Sequence, residues 1–301
     1  MMKVPAFLSN GDKVALVSPS YHLNMAGVEK AAGIIRSWGL VPVIGRNAGK
    51  LYERQYAGSL EERLSDLQRA LEDPGIKAII CNRGGYGTIQ MVSKLKPGLF
   101  SDNPKWIVGF SDITTLHGMA TCAGVMSIQG PMCSFLAKKG GDDISCTSLR
   151  DLLFGTIPQY QLPAHPFNRK GSARGTLVGG NLMTFAPLVG SSADSTALDG
   201  IILFIEEVEE SMHNIDRQIN MLALNGVLDR VKGVILGEFT RCGDEFGCTA
   251  EELISRALES YGIPVLCGFP AGHGDVILPL VMGSTVNIDI NNNGASVSFT
   301  L

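Results

Sequence analysis

The chain has no apolar run long enough to cross a bilayer, which excludes a membrane-spanning helix and leaves no membrane partner to expect. It also lacks an excess of positive charge. With a formal net charge of -4 there is no basic field to grip a phosphate backbone, so nucleic acid is not an expected partner. No H-E-x-x-H, no C-x-x-C and no paired histidines at ligand spacing occur, and no metal is expected. G-K-[ST] and a complete G-x-G-x-x-G are missing as well, so no nucleotide cofactor is expected. The start, Met1-Met2-Lys3-Val4-Pro5, has neither the apolar stretch nor the small-residue cleavage site of an export signal. Seven cysteines, an odd number, are scattered without metal-ligand spacing. They read as buried thiols of a reducing, cytoplasmic compartment.

What is present is an apolar, moderately charged chain. Its 301 residues, 45% hydrophobic and 18% charged, can bury one large core or two moderate ones, and a small ligand suits the charge balance better than a polyanion. Lys13 to Val17 is a short β-rich run closed by Ser18-Pro19, followed by helical spacing from Met25 to Trp38. The alternation continues with a strand over 40–44, a charged amphipathic helix over 59–71, a buried strand over 78–81, helical spacing over 88–95 and a buried strand over 106–110. Such alternation predicts a parallel sheet covered by helices, a Rossmann- or flavodoxin-like α/β domain over residues 1–158 with its ligand at the carboxyl ends of the strands. Residues 159–175 are rich in proline, glycine and polar side chains and read as a linker. Beyond them, β-rich runs at 200–206, 231–236, 264–268, 276–280, 284–290 and 295–301, with helical periodicity at 215–224 and 250–260, predict a β-rich α+β domain over 176–301.

The segment Gly109-Phe110-Ser111-Asp112-Ile113-Thr114 places a serine where a buried strand meets a helix, with a glycine two residues before it. A tight strand-to-helix turn holds a hydroxyl out of the sheet, and the amides of the helix start can face an oxyanion. The second glycine of G-x-S-x-G is missing, and from local sequence alone Ser111 or Asp112 reads first as a helix cap, a balance that the neighbouring glycine turn shifts. On the neighbouring strand, Arg83-Gly84-Gly85-Tyr86-Gly87 would stand on the same rim, as one wall of an oxyanion hole or as a plain tight turn.

A serine hydroxyl needs a base. Among five histidines, His117 lies along the helix body, His22 and His165 lie in polar turns, and His213 precedes a helix. His273 sits in the loop Gly272-His273-Gly274, between two expected strands. The acids cluster at Glu206-Glu207-Val208-Glu209-Glu210, where an apolar strand ends. Glu206, nearest the strand, is the one best placed to be held rigidly, and Glu209 and Glu210 read as solvated.

Together, Arg83-Gly84-Gly85-Tyr86-Gly87, Gly109-Phe110-Ser111-Asp112-Ile113-Thr114, Phe204-Ile205-Glu206-Glu207 with Asp216-Arg217, and Gly272-His273 resemble the LD-carboxypeptidases, also called muramoyltetrapeptide carboxypeptidases. Gly130-Pro131-Met132 and Gly175-Thr176-Leu177-Val178-Gly179-Gly180-Asn181-Leu182 support the resemblance, which spans nearly the whole chain. It implies a serine peptidase with Ser111 as nucleophile, His273 as general acid and base, and Glu206 orienting the imidazole. It also implies an oxyanion hole from the amides of Asp112 and Gly85. The family commonly has Glu-Asp where this chain has Glu206-Glu207.

The implied substrate is a murein tetrapeptide losing its terminal D-alanine during peptidoglycan recycling, with no metal or cofactor and with a homodimer as the assembly. Arg83 and Arg174 are the candidates for holding the substrate carboxylate. Two alternatives stand beside this reading. One is an enzyme of the microcin C immunity type that cuts acyl-sulfamoyl adenylates, which would need an aromatic platform for adenine, and the two tryptophans, Trp38 and Trp106, are each better explained by the core. The other is a non-catalytic small-molecule binding protein.

Overall fold

The computed structural model describes residues 2–301. In the first half, β1 (Lys13–Val17), β2 (Val41–Ile44), β3 (Ile76–Cys81), β4 (Trp106–Gly109) and β5 (Ser127–Gln129) pair in parallel in the order β5-β4-β3-β1-β2. This is the flavodoxin-like strand order. Helices cover both faces, so β3 and β4 can be apolar on successive residues and are buried almost throughout.

The second half contributes β6 (Gln159–Pro163), β7 (Gly171–Asn181), β8 (Ile201–Val208), β9 (Val231–Thr240), β10 (Val265–Leu266), β11 (Leu280–Met282), β12 (Thr285–Asn291) and β13 (Gly294–Thr300). Seven of them form a mixed sheet in the order β10-β9-β8-β7-β12-β13-β6, while β11 crosses back and pairs antiparallel with β5 of the first sheet. An α/β half and a β-rich α+β half are what the periodicity predicts.

Four local expectations are corrected. Residues 159–175, read as a linker, carry β6 and the start of β7, whose half-exposed alternating patterns look polar in sequence. Pro163 is tolerated there because β6 is an edge strand. The run 276–280 forms no strand before Leu280, since Pro279 has no N–H for a ladder; the pairing begins at Leu280, against β5 rather than in the second sheet. The helical spacing at 88–95 yields only a short 3-10 turn, Thr88–Met91. The cysteines are all free thiols, but Cys122 is exposed and Cys242 and Cys248 are half-buried, where burial was expected of all seven.

A continuous cluster of buried apolar side chains runs through both halves, from Leu16 and Ile80 of the first sheet to Phe204 and Ile288 of the second. The other face of the second sheet packs a separate cluster under the helices Met212–Leu224 and Ala250–Ala257. Burying each large side chain is worth about 1.5–3 kcal/mol, so the shared core holds the halves together. It thereby sets the groove formed by the carboxyl ends of β1, β3 and β4 against the loops of the second sheet.

Candidate active site

At the end of β4 the chain is extended at Phe110 and then turns left-handed at Ser111, φ 63°, before the 3-10 turn Ser111–Ile113 and the helix Thr114–Cys122. A non-glycine residue in this region costs about 1–3 kcal/mol and persists only where its surroundings over-determine it. They do so on two sides. His117, fully buried, donates from Nε2 to the Gly109 carbonyl at 2.9 Å and accepts at Nδ1 from the Ser127 hydroxyl at 2.8 Å. Burial lowers its pKa to about 4, so the ring is a neutral brace for the strand end. On the other side, the buried Asp112 carboxylate accepts from the Thr88 amide at 2.9 Å, and the Thr88 hydroxyl donates to the Asp112 carbonyl at 2.6 Å. Burial raises the Asp112 pKa, and the hydrogen bonding from Thr88 partly offsets the rise.

Asp112 thus ties the glycine-rich turn after β3 to the serine after β4. The approach is close enough to require glycine: a Cβ on Gly84 would stand 2.8 Å from Ser111 Cβ and 2.9 Å from its Oγ. Gly85, with φ 123°, is exposed at the tip of the same turn and packs on the Tyr21 ring.

The acid and the imidazole come from the second half. Glu206, completely buried near the end of β8, accepts from His273 Nδ1 at 2.8 Å. Burial of the imidazole lowers its pKa, but the Glu206 hydrogen bond and the charges of Glu206 and Glu207 outweigh that, and the net shift is upward. The Nδ1–H to Glu206 leaves Nε2 as the free lone pair of the neutral ring. His273 meets the nucleophile's strand through Phe110, whose ring packs edge-on at 5.1 Å between centroids. Among the described residues the Ser111 hydroxyl makes no hydrogen bond, so it is available to a partner that substrate brings into line.

Neighbouring acids are spoken for. Strand alternation turns Glu207 to the opposite face, where it accepts from Asn181 Nδ2 at 2.7 Å and from the Met183 amide at 2.9 Å. Burial raises its pKa against those bonds. Glu209 pairs with Arg241 at the surface, and Glu210 accepts from Asn214 and from the Ser211 amide.

The two arginine candidates separate. Arg83 is exposed on the glycine turn, next to the Gly84 that abuts Ser111, and donates to the His22 carbonyl at 3.3 Å. Arg174 is at the far end of β7: Asn181, not Arg174, aligns with Glu206, and seven residues of strand put roughly 23 Å between the two levels. It is not brought to this groove. Trp38 and Trp106 are core residues, 8% and 0% exposed.

Sequence reasoning missed two contributors: Thr88, which gives no motif signal, and Glu238 on β9, which could have been suspected because it ends an apolar strand as Glu206 does.

Comparisons with known proteins agree on the family. The LD-carboxypeptidase N-terminal domain matches residues 14–130 and the LD-carboxypeptidase C-terminal domain matches residues 174–288. A murein tetrapeptide carboxypeptidase of Pseudomonas aeruginosa is 30% identical over 273 residues, covering 87% of this chain and 88% of its own. The microcin C7 self-immunity protein MccF of Escherichia coli is 27% identical over 329 aligned positions, with 97% and 94% covered. The crystal structure of a muramoyltetrapeptide carboxypeptidase from Oxalobacter formigenes has the same fold, with a TM-score of 0.87 at 24% identity over 96% of this chain and 99% of that one.

Proposed function

Because the chain belongs to the LD-carboxypeptidase family, we propose that it is a serine peptidase that cuts the bond between an L-configured centre and a terminal D-residue, releasing D-alanine from murein tetrapeptides. The observation that carries this reading is the 2.8 Å contact of His273 Nδ1 with buried Glu206, made beside a serine held left-handed at the end of a buried strand.

Ser111 Oγ attacks the scissile carbonyl while its proton passes to His273 Nε2. The new C–O bond turns the carbonyl oxygen into an oxyanion, for which this reading takes the amides of Asp112 and Gly85 as donors. Glu206, buried against Nδ1, stabilises the imidazolium. When the C–N bond breaks, His273 returns the proton to the leaving D-amine. Water then gives a proton to His273, its oxygen opens the ester, and the proton goes back to Ser111. Arg83 is the cation on the serine's rim for the terminal carboxylate. The same reading makes the protein a cytoplasmic homodimer that uses no metal or cofactor.

The test is incubation with tetrapeptides differing only in the chirality of the last residue, with and without a chelator. Release of D-alanine alone, unchanged by chelation, is expected. Cleavage of the L-form at equal rate, loss of activity on chelation, or turnover confined to an acyl-sulfamoyl adenylate would reject the assignment.

A further inference from the structure

His273 is flanked by two glycines, and each is pressed onto a different glutamate. A Cβ on Gly272 would stand 3.1 Å from Glu206 Oε2, and one on Gly274 would stand 2.0 Å from Glu238 Oε2. The Glu238 amide also donates to the Ala271 carbonyl at 3.0 Å, so the loop before and after the histidine is held by the same residue of β9. Glu238 Oε2 is buried and has no hydrogen-bond partner among the described residues. A carboxylate oxygen left in that condition beside a proton-transferring imidazole requires an explanation.

We propose that Glu238 is a positioning residue for His273: its carboxyl group is the seat for the 271–274 loop and a second anion facing the imidazole. The inference rests on the reading of His273 as the general acid and base. Glu206 sets the tautomer through Nδ1, while Glu238, on the adjacent strand, sets the height of the loop and shares the charge that appears on the ring during turnover. Burial raises the Glu238 pKa, with further push from Glu206 and Asp275, whereas the nearby Gly274 amide and His273 act the other way. The charged groups acting on the imidazole from other elements are Glu206 and Glu207 of β8 and Arg241 at the end of β9, while Asp275 of its own loop acts on Glu238 and is paired with Lys139 of the helix Cys133–Lys139. Of these, Glu206 and Glu238 are the carboxylates in contact with the glycines on either side of His273.

Two measurements test this, and the first needs no substrate. The His273 ring is titrated by NMR in the wild-type protein and in Glu238→Gln, which keeps the shape and removes the charge. The midpoint is expected to move to lower pH, because an anion that favoured the imidazolium is gone. A curve superimposable on the wild-type one overturns the proposal, whatever the substrate proves to be.

The second is a cycle on D-alanine release. Gly274→Ala would evict the Glu238 carboxyl from its seat, so Gly274→Ala and Glu238→Ala should each lower kcat about tenfold with KM little changed, and the double variant should also lose only about tenfold. Losses that multiply in the double variant show that Glu238 and the loop act independently, and the proposal fails. If wild-type protein releases no D-alanine, the reading of the function fails while the titration still decides the role of Glu238.

Discussion

Replacing Gly84 by alanine tests whether the glycine turn and the serine form one rigid unit. The new methyl would lie 2.8 Å from Ser111 Cβ and 2.9 Å from Oγ, with Met132 Cε behind it at 3.4 Å. Carbon pairs rest at roughly 3.5–4.0 Å, so something must move by about 0.7 Å or more. Ser111 cannot swing freely, because its left-handed backbone is fixed between the His117 brace and the Asp112–Thr88 bonds. Displacing a reacting group by this order of distance costs about 10²-fold in rate.

The effect on folding is smaller. Overpacking costs about 1–3 kcal/mol, and the loss of glycine's freedom in the unfolded chain returns about 0.4–1 kcal/mol, leaving the protein folded. The assay is steady-state D-alanine release, read beside thermal melting. Gly33→Ala is the control: Gly33 is exposed in the helix Met25–Ser37 with nothing within 4 Å of the added Cβ. It should gain about 0.5–1 kcal/mol of stability and keep full activity. If Gly84→Ala keeps kcat/KM within a few-fold of wild type, the rigid contact between the turn and the nucleophile is refuted.

Ser111→Gly should abolish turnover and raise the melting temperature, since glycine removes about 1–3 kcal/mol of left-handed strain; unchanged or lower stability would show that the strain is absent. Glu206→Gln should reduce turnover roughly 10⁴-fold, because the amide can donate to Nδ1 and turn the free lone pair away from Ser111. Its His273 should titrate at lower pH than in wild type, since the Glu206 hydrogen bond and charge are what raise it. In the wild type that raised pKa contributes stability below the unfolded value near 6.5, which is lost as pH rises through the folded value, and unfolding curves of the variant should lack this slope. His117 has the opposite sign. Its pKa is depressed from 6.5 to about 4, so the unfolded chain takes up the proton first and stability falls as pH drops across that window, by about 3 kcal/mol. His117→Gln should flatten this part of the pH profile in denaturant titrations, and a profile with the wild-type slope would contradict the buried neutral ring.

Much of the fold was legible because burial on both faces leaves a plain mark: Ile79-Ile80-Cys81 and Trp106-Ile107-Val108 can only be central strands of a covered sheet. The edge strands were not. β6 and the start of β7 are half exposed and polar on alternate residues, so composition made them look like a linker. Arg174 illustrates the same limit in the site, since its place in sequence close to the Gly179-Gly180-Asn181 motif says nothing of the strand length that carries it away from Glu206.

By itself the sequence determined the alternation of strands and helices, the serine at a strand end, and a histidine set between glycines. These follow from local rules: side-chain period, chain stiffness and the freedom of glycine. Only the tertiary structure decided that Glu206 and not Glu207 faces His273, because the register of β8 against its neighbours chooses which of two adjacent carboxylates points into the groove. It likewise brought Glu238 beneath Gly274 and Gly84 against Ser111, contacts between segments far apart in the chain that packing alone creates.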